Sequence, residues 1–142
     1  MTPFHLNILM AERVFYEGDC VSLVVPSLHG QYGIQAHHSN TIAAIVPGML
    51  EYEKLDGERV TAAVSNGLFK IEDNHVLILV ETAELPEEID ENRAKRAAVA
   101  AKEAILQKKG IREYQEAQLQ MARAMSRLRV HDRYESKRGK SR

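Results

Sequence analysis

The chain has 142 residues, of which 44% are hydrophobic and only 6% aromatic, so it suits one ordinary domain or two small ones with an aliphatic core. Its longest apolar runs, such as residues 76–80, are too short to span a membrane, and no signal peptide is expected because no basic segment precedes the first apolar residues. The single cysteine, Cys20, excludes an internal disulfide and fits a reducing compartment.

The net charge of −1 conceals a strong polarity along the chain. Residues 1–90 carry 14 acidic and 4 basic side chains, a net charge of −10. Residues 91–116 carry 4 and 7, a net +3, and residues 117–142 carry 2 and 8, a net +6. We therefore expect the carboxy-terminal part to seek an acidic partner that the amino-terminal part would repel.

The first part of the chain predicts closely spaced β-strands. Residues 13–18 indicate one strand, and residues 21–25 indicate another that should end at Pro26. Asp56-Gly57 predicts one hairpin turn and Glu72-Asp73-Asn74 a second, each between apolar runs. Short strands with this punctuation are typical of a β-sandwich or barrel.

After Pro86 the apolar residues recur at helical spacing, which predicts two helices. The first should end at Gly110 with Lys108 and Lys109 in its last turn, and its apolar positions are Ala94, Ala97, Ala98, Ala101, Ala104 and Ile105. The second has the stripe Tyr114, Ala117, Met121, Ala124, Met125 and Leu128.

The short connection between these helices predicts an antiparallel hairpin. Its seam is mostly alanine, so little apolar surface is buried between the helices. Since buried apolar surface stabilises by about 25 cal/mol per Å², the hairpin should be weakly held and able to open. Residues 133–142 predict a frayed basic tail.

Short motifs follow one another in a fixed order over about 130 residues of the chain. In the β part they are Phe4-His5-Leu6, Phe15-Tyr16-x-Gly18, Val24-Val25-Pro26, Gly30-x-x-Gly33-Ile34, His38, Pro47-Gly48 and Val64-Ser65-x-Gly67. Later ones are Thr82-Ala83-Glu84, Ile89-Asp90-x-x-Arg93-Ala94 and Ala122-x-x-x-x-Arg127-Leu128-x-Val130. In this ordered spacing the chain resembles the epsilon subunit of bacterial F-type ATP synthases, which is called delta in mitochondria.

The resemblance implies an α+β fold, with a ten-stranded β-sandwich in residues 1–85 followed by an antiparallel two-helix hairpin in residues 86–142. It implies a non-catalytic rotor subunit whose sandwich binds the gamma subunit and stands on the c ring. The hairpin would extend into the head, against the beta and alpha subunits, and block ATP hydrolysis. The complex would hold the chain peripherally at the cytoplasmic face of the bacterial cell membrane.

The stretch around Asp90 has two readings. Asp90 suits a helix N-cap, where its carboxylate would accept a free backbone N–H. The resemblance also implies a regulatory ATP site, formed by Glu84, Ile89, Asp90, Arg93, Ala94, Arg123 and Arg127. Guanidinium groups suit phosphate oxygens, although some relatives carry a further arginine where this chain has Ala100. Because no Walker loop is present, the nucleotide would be a sensed ligand and not a substrate.

Two further sets of residues have a predicted interface role. The resemblance implies that an acidic stretch of the beta subunit binds Arg123, Arg127, Arg129 and Arg133. The alternative is that these arginines form a basic helix face exposed to solvent. It also implies that Gln31 and His38 contact the c ring and gamma. Residues 36–40, Ala-His-His-Ser-Asn, lack the family's prolines and glycine, so this loop should be less rigid.

Without the resemblance, two other classes remain open. The basic tail would suit a nucleic-acid-binding module, although the β part is acidic and lacks an aromatic stacking platform. A small enzyme is disfavoured because no nucleophile, base and orienting group can be assembled, and Cys20 has no base beside it in sequence. His37-His38 predicts a polar turn and not a metal site, and no catalytic cofactor or nucleic-acid partner is expected.

Overall fold

The computed structural model describes residues 2–107 and 110–140, which form a β-region followed by two helices. Its nine strands are β1 (Phe4–Leu9), β2 (Val14–Ser27), β3 (Gly30–Ile34), β4 (Thr41–Ile45), β5 (Gly48–Lys54), β6 (Arg59–Val64), β7 (Gly67–Glu72), β8 (His75–Val80) and β9 (Ala83–Glu84). A 3₁₀ turn, Pro86–Glu88, leads to α1 (Glu91–Gln107) and α2 (Ile111–Lys140). The predicted fold class is confirmed, with nine strands in the described ranges where ten were predicted.

Strand β2 is 14 residues long and accounts for part of this difference. The two strands predicted at residues 13–18 and 21–25 are one continuous strand, with a register irregularity near Phe15 in its pairing with β1 and another between Cys20 and Ser22 in its pairing with β5. Its first half pairs with β1 and its second half with β3 and β5. The predicted end at Pro26 is wrong, because the carbonyl of Pro26 still accepts a bond from the Val46 N–H (3.1 Å) and the strand continues to Ser27.

The strands follow the order β1-β8-β7-β4-β2-β5-β6-β9, with β3 attached to β2 and a further pairing between β1 and β2.

Both predicted hairpins form. Gly57 (φ 88°) lies in the β5–β6 turn, and Asp73 and Asn74 (φ 50° and 64°) take the left-handed conformation that a two-residue hairpin turn requires.

The inner faces of the strands enclose one aliphatic core. Its fully buried members include Leu6, Ile8, Leu23, Phe69 and Ile78. Gly67 permits the close approach of β7 and β8, because a Cβ at this position would lie 1.9 Å from the carbonyl oxygen of Leu79. The sandwich is therefore a tightly packed unit.

Helix α2 packs on the outer face of β5 and β6. Alternation along β6 turns Ala62 and Val64 to the core, yet Ala63 between them is only 4% exposed. Residue Ala63 is covered from outside by Val130 of α2 and by Ile89 of the linker. The hairpin is thus seated against the sandwich.

Two predictions about the helices need correction. Residues 133–140 are helical and not frayed, because α2 continues to Lys140 and Arg133 contacts the sandwich. The apolar stripes are narrower than predicted, since Ala97, Ala104, Tyr114 and Met125 are exposed. The buried face of α2 serves both α1 and the sandwich and is therefore rotated to include Ser126 and Val130. Lys108 and Lys109 lie outside the described residues. Among the described helices, none is long and apolar enough to cross a membrane.

Candidate functional site

The first turn of α1 is built around Asp90. Its carboxylate accepts a hydrogen bond from the backbone N–H of Arg93 (3.0 Å), and its carbonyl accepts one from Ala94 N–H (3.0 Å). The N-cap reading of Asp90 is therefore confirmed, and it satisfies one of the free donors of the helix start. Arg93 points to the exposed side, whereas Ala94 is buried.

A small apolar cluster joins the linker, the sandwich and α2. Ile89 (8% exposed) and Val130 (0%) meet Ala63 of β6, and Met49 of β5 packs against them. Burying aliphatic side chains of this size contributes about 1.5–3 kcal/mol each. This cluster is much smaller than the sandwich core, so the hairpin is held far less firmly than the strands.

Arginines of α2 are paired with carboxylates at the edge of the sandwich. Arg123 contacts Glu81 at 2.7 Å and also the side-chain oxygen of Asn66. Arg127 donates from Nε to Glu84 Oε1 at 2.9 Å. The guanidinium groups are mostly covered, with side-chain exposures of 17% for Arg123 and 28% for Arg127. These charged side chains therefore face the sandwich and not open solvent.

A third pair lies further along α2. Arg133 contacts Glu51 of β5 at 3.2 Å. Arg129 is exposed, whereas its neighbours Ser126 and Val130 are buried. The four arginines predicted to form one interface are thus divided, with three turned to the sandwich and one turned away. We call the pairs Arg123–Glu81, Arg127–Glu84 and Arg133–Glu51 the ionic latch.

The residues predicted to bind ATP fall into two groups near the junction of the two domains. The structure joins Glu84 to Arg127 directly, and it places Ile89, Asp90, Arg93 and Ala94 together at the linker and the start of α1. The crevice bounded by Arg123, Arg127, Ser65 and Thr82 has no space for a nucleotide while the latch is closed. ATP binding by these residues stays a prediction, and it requires the arginines to exchange partners or α2 to shift.

A larger opening lies beside the linker. This cavity of about 510 Å³ is bordered by strand residues such as Tyr52 and Arg59 and by Arg133 of α2. Arg13 reaches across to Glu88 of the 3₁₀ turn at 3.4 Å. The sandwich, the linker and α2 all supply walls of this cavity.

The predicted contacts Gln31 and His38 are separated by the sheet. Gln31 is exposed on β3, and Tyr32, which follows it, projects from the other face. The ring of His38 is engaged within the chain, with Nε2 2.9 Å from the Tyr32 hydroxyl and Nδ1 2.8 Å from the Ser39 carbonyl. In the loop that contains His38, the backbone N–H of His37 donates a hydrogen bond to Oδ1 of Asn74 in the β7–β8 turn (2.8 Å).

The outer face of β4, β7 and β8 exposes an apolar surface. Ile42 is 70% exposed, Leu68 40% and Leu79 38%, and the strand register places all three on the same side. Leu68 and Leu79 are directly paired, whereas Ile42 is paired with the exposed Lys70 on the same face. Grouped exposed apolar side chains mark an interaction surface more often than isolated ones do. We call these three residues the apolar face.

Burial raises the pKa of three titratable groups of the sandwich. Burial raises the pKa of the Cys20 thiol, which stays protonated and unreactive. Burial and the hydrogen bond from Cys20 raise the pKa of Tyr16 to about 12. Burial also raises the pKa of Tyr52, whose ring lies 4.5 Å from that of Tyr16.

Sequence reasoning missed the sandwich half of the latch. Glu81, Glu51 and Asn66 were not predicted, although the opposite charges of the two parts of the chain gave a general signal of their attraction. The sequence reasoning named Val130 only as part of a motif. Val130 is buried because it contacts the sandwich, and helical periodicity alone does not reveal this contact.

Comparisons with known proteins match both parts of the chain. The family "ATP synthase, Delta/Epsilon chain, beta-sandwich domain" matches residues 3–86, and "ATP synthase, Delta/Epsilon chain, long alpha-helix domain" matches residues 87–132. The ATP synthase epsilon chain of Ruminiclostridium cellulolyticum is 38% identical over 133 residues, which cover 94% of this chain and 98% of the relative. The epsilon chain of Caldanaerobacter subterraneus is also 38% identical, over 93% of this chain and 96% of the relative.

A solved structure supports the fold independently. A chain in the Euglena gracilis mitochondrial ATP synthase structure (OSCP/F1/c-ring) superposes with a TM-score of 0.75 at 20% identity, covering 86% of this chain and 77% of that one. At this identity the likeness concerns the fold alone. Together with the two family matches and the relatives at 38% identity, these findings show that the chain belongs to the delta/epsilon chain family of ATP synthase.

Proposed function

We propose that this chain is the non-catalytic central-stalk rotor subunit of an F-type ATP synthase and that its helical hairpin is a movable inhibitor of ATP hydrolysis. The sandwich couples the gamma subunit to the c ring, at the cytoplasmic face of the membrane. When the hairpin leaves the sandwich, it extends toward the beta and alpha subunits. ATP binding at the junction favours the docked arrangement.

The observation that carries this proposal is the limited attachment of the hairpin, which consists of three partly exposed ion pairs and one small apolar cluster. Partly exposed ion pairs such as those of the ionic latch contribute about 0.2–1 kcal/mol each. Ile89 and Val130 add a few kcal/mol of apolar burial. The sum is small enough for a ligand or a partner to reverse, since a shift from 1:99 to 99:1 needs about 5.5 kcal/mol.

The latch also suggests how the hairpin is inhibitory once released. In the docked state Arg123, Arg127 and Arg133 are neutralised by the chain's own carboxylates. On release they join the exposed Arg129 in a basic row on one long helix. An acidic stretch on the beta subunits would replace the lost carboxylates, and this pairing would stop the rotation that hydrolysis needs.

Deletion of residues 87–142 tests the inhibitory role. The truncated sandwich is reconstituted into the complete complex, and ATP hydrolysis is compared with that of complexes carrying the full chain or lacking the subunit. We expect the truncated complex to assemble, as shown by co-purification, and to hydrolyse ATP several-fold faster. An assembled complex with unchanged hydrolysis would refute inhibition by the hairpin.

Isothermal titration of the isolated full chain with ATP tests the regulatory site. Asp90→Asn retains a side chain that caps helices well and removes the carboxylate charge. We expect Asp90→Asn and Arg93→Gln each to weaken ATP binding, whereas Arg96→Gln, also exposed on α1, should not. An absence of heat at millimolar ATP would remove ATP from the proposal and leave the rotor role intact.

The apolar face is the surface that we expect gamma to cover. Leu68→Asp places a charge in its centre without touching the core, because Leu68 is 40% exposed. We expect this variant to lose co-purification with gamma. Leu28→Asp, at a residue 71% exposed in a turn, is the matched control and should co-purify normally. Equal recovery of both variants would place the gamma contact elsewhere.

A further inference from the structure

Three metal-ligating side chains meet at the open end of the hairpin, outside the latch. Glu91 begins α1, and His131 and Asp132 lie opposite it on α2. Nδ1 of His131 is 3.6 Å from Glu91 Oε2 and 3.9 Å from Asp132 Oδ1, and the three donor atoms lie within 4.8 Å of one another. These residues belong neither to the predicted ATP site nor to the predicted interface.

The imidazole nitrogen in this cluster is buried and unpartnered. Nδ1 of His131 has no hydrogen-bond partner among the described residues, and the His131 side chain is only 17% exposed. Both carboxylates are too distant for a hydrogen bond to this nitrogen. A buried polar atom without a partner is costly, and a ligand between the nitrogen and the carboxylates would remove that cost.

The separations are close to those of a metal coordination shell. With Zn–N and Zn–O bonds of about 2.0–2.2 Å, two ligands of a tetrahedral site are about 3.4 Å apart. The separations of 3.6 and 3.9 Å from His131 Nδ1 exceed this by about 0.2 and 0.5 Å, and the donor atoms of Glu91 and Asp132 lie within 4.8 Å of each other. Side-chain rotation can supply a movement of this size, since Asp132 is 73% exposed and Glu91 37% exposed.

Lys95 holds the carboxylate of Glu91 in a suitable position. Its ammonium contacts Oε1 of Glu91 at 3.0 Å, which leaves Oε2 directed at His131. The same ammonium lowers the pKa of Glu91, so the carboxylate is ionised at neutral pH. One imidazole and two carboxylates suit a Zn²⁺-class transition metal, whereas Mg²⁺ prefers oxygen ligands alone.

We propose that Glu91, His131 and Asp132 bind one Zn²⁺-class ion, with water completing its coordination, and that this ion fastens the start of α1 to α2. The hairpin has a weak alanine seam, in which Ala94, Ala98, Ala117 and Ala124 are buried. An ion at its open end would hold the two helices together as a unit. It would thereby oppose any arrangement in which α2 separates from α1.

The test is a titration of the chelator-treated full chain with zinc chloride, followed by calorimetry. We expect one ion per chain, and we expect His131→Gln and Glu91→Gln each to weaken binding at least about 100-fold, because loss of even an outer-shell partner costs 10–100-fold. Binding should also weaken as pH falls, since the imidazole must be deprotonated. Thermal unfolding monitored at 222 nm should shift upward with zinc in the native chain and not in His131→Gln.

His5→Gln is the control for adventitious binding, because His5 lies near His75, Glu17 and Asp19 at a distant surface of the sandwich. Retained binding in His5→Gln with loss in His131→Gln supports the hairpin site. Absence of zinc binding, equal binding in His131→Gln, or loss only in His5→Gln would overturn it. Zinc binding is a property of the isolated chain, so it can fail while the rotor role stands.

Discussion

Reversal of one charge in the ionic latch should release the hairpin. Arg127→Glu removes the 2.9 Å pair with Glu84 and places two carboxylates face to face. Both partners are about one quarter exposed, so we assign the lost pair about 0.2–1 kcal/mol. Repulsion of two charges near 4 Å adds about 1 kcal/mol in a water-like dielectric. The total approaches about 2 kcal/mol, which corresponds to a roughly 30-fold larger detached fraction.

Hydrogen exchange of α2 amides in the isolated chain measures this fraction. We expect faster exchange in Arg127→Glu, restored protection in the swapped pair Arg127→Glu with Glu84→Arg, and little change in Arg129→Glu, whose side chain is exposed. Higher salt should speed exchange in the native chain, because partly exposed ion pairs are screened. Unchanged exchange in Arg127→Glu, or a swapped pair no better than the single variant, would refute the latch.

Three further measurements probe the packing and the half-buried phenol of Tyr16. Val130→Ala should lower the free energy that holds the hairpin docked by about 2 kcal/mol, because Val130 is fully buried. The control Val99→Ala, at an exposed residue, should change stability very little. Thermal unfolding followed by circular dichroism measures both. Gly67→Ala should destabilise the sandwich by at least about 3 kcal/mol in urea titration, while Gly33→Ala, with open space around its Cβ, should be tolerated. The pKa of Tyr16 is raised to about 12, so the stability that its neutral phenol contributes is complete below pH about 10 and is lost as the pH rises toward 12. Ionisation of this phenol should appear as a late step in a titration of the absorbance at 295 nm, and that step should be missing in Tyr16→Phe.

The two parts of the chain differ in how they resist perturbation. The sandwich has a continuous core with side chains such as Phe4, Leu50 and Phe69 wholly or almost wholly buried. The hairpin meets the sandwich through the ionic latch and the cluster around Val130. Because local opening follows the least buried contacts, the hairpin should detach well before the sandwich unfolds. The movable hairpin that we propose requires this difference in stability.

Much of the candidate site was accessible from the sequence because it rests on local signals. Asp90 was predicted as an N-cap, and its bond to the Arg93 N–H confirms it. Asp56-Gly57 and Asp73-Asn74 likewise predicted their turns, since left-handed backbone favours these residue types. The assignment of Glu84, Arg123 and Arg127 to ATP and the boundary at residue 85/86 stay predictions.

The sequence by itself determined that a β-region precedes two helices, that hairpin turns lie at Asp56-Gly57 and Asp73-Asn74, and that the two parts differ in charge, because periodicity and turn chemistry act between residues close in the chain. It did not predict β1, β3, β4 or β9. Only the tertiary structure decided that β2 runs without a break from Val14 to Ser27, that α2 lies on β5 and β6, and that Arg127 faces Glu84. It also brought Glu91 to His131. These contacts join residues far apart in sequence, and they depend on which face of each element is covered when the layers pack.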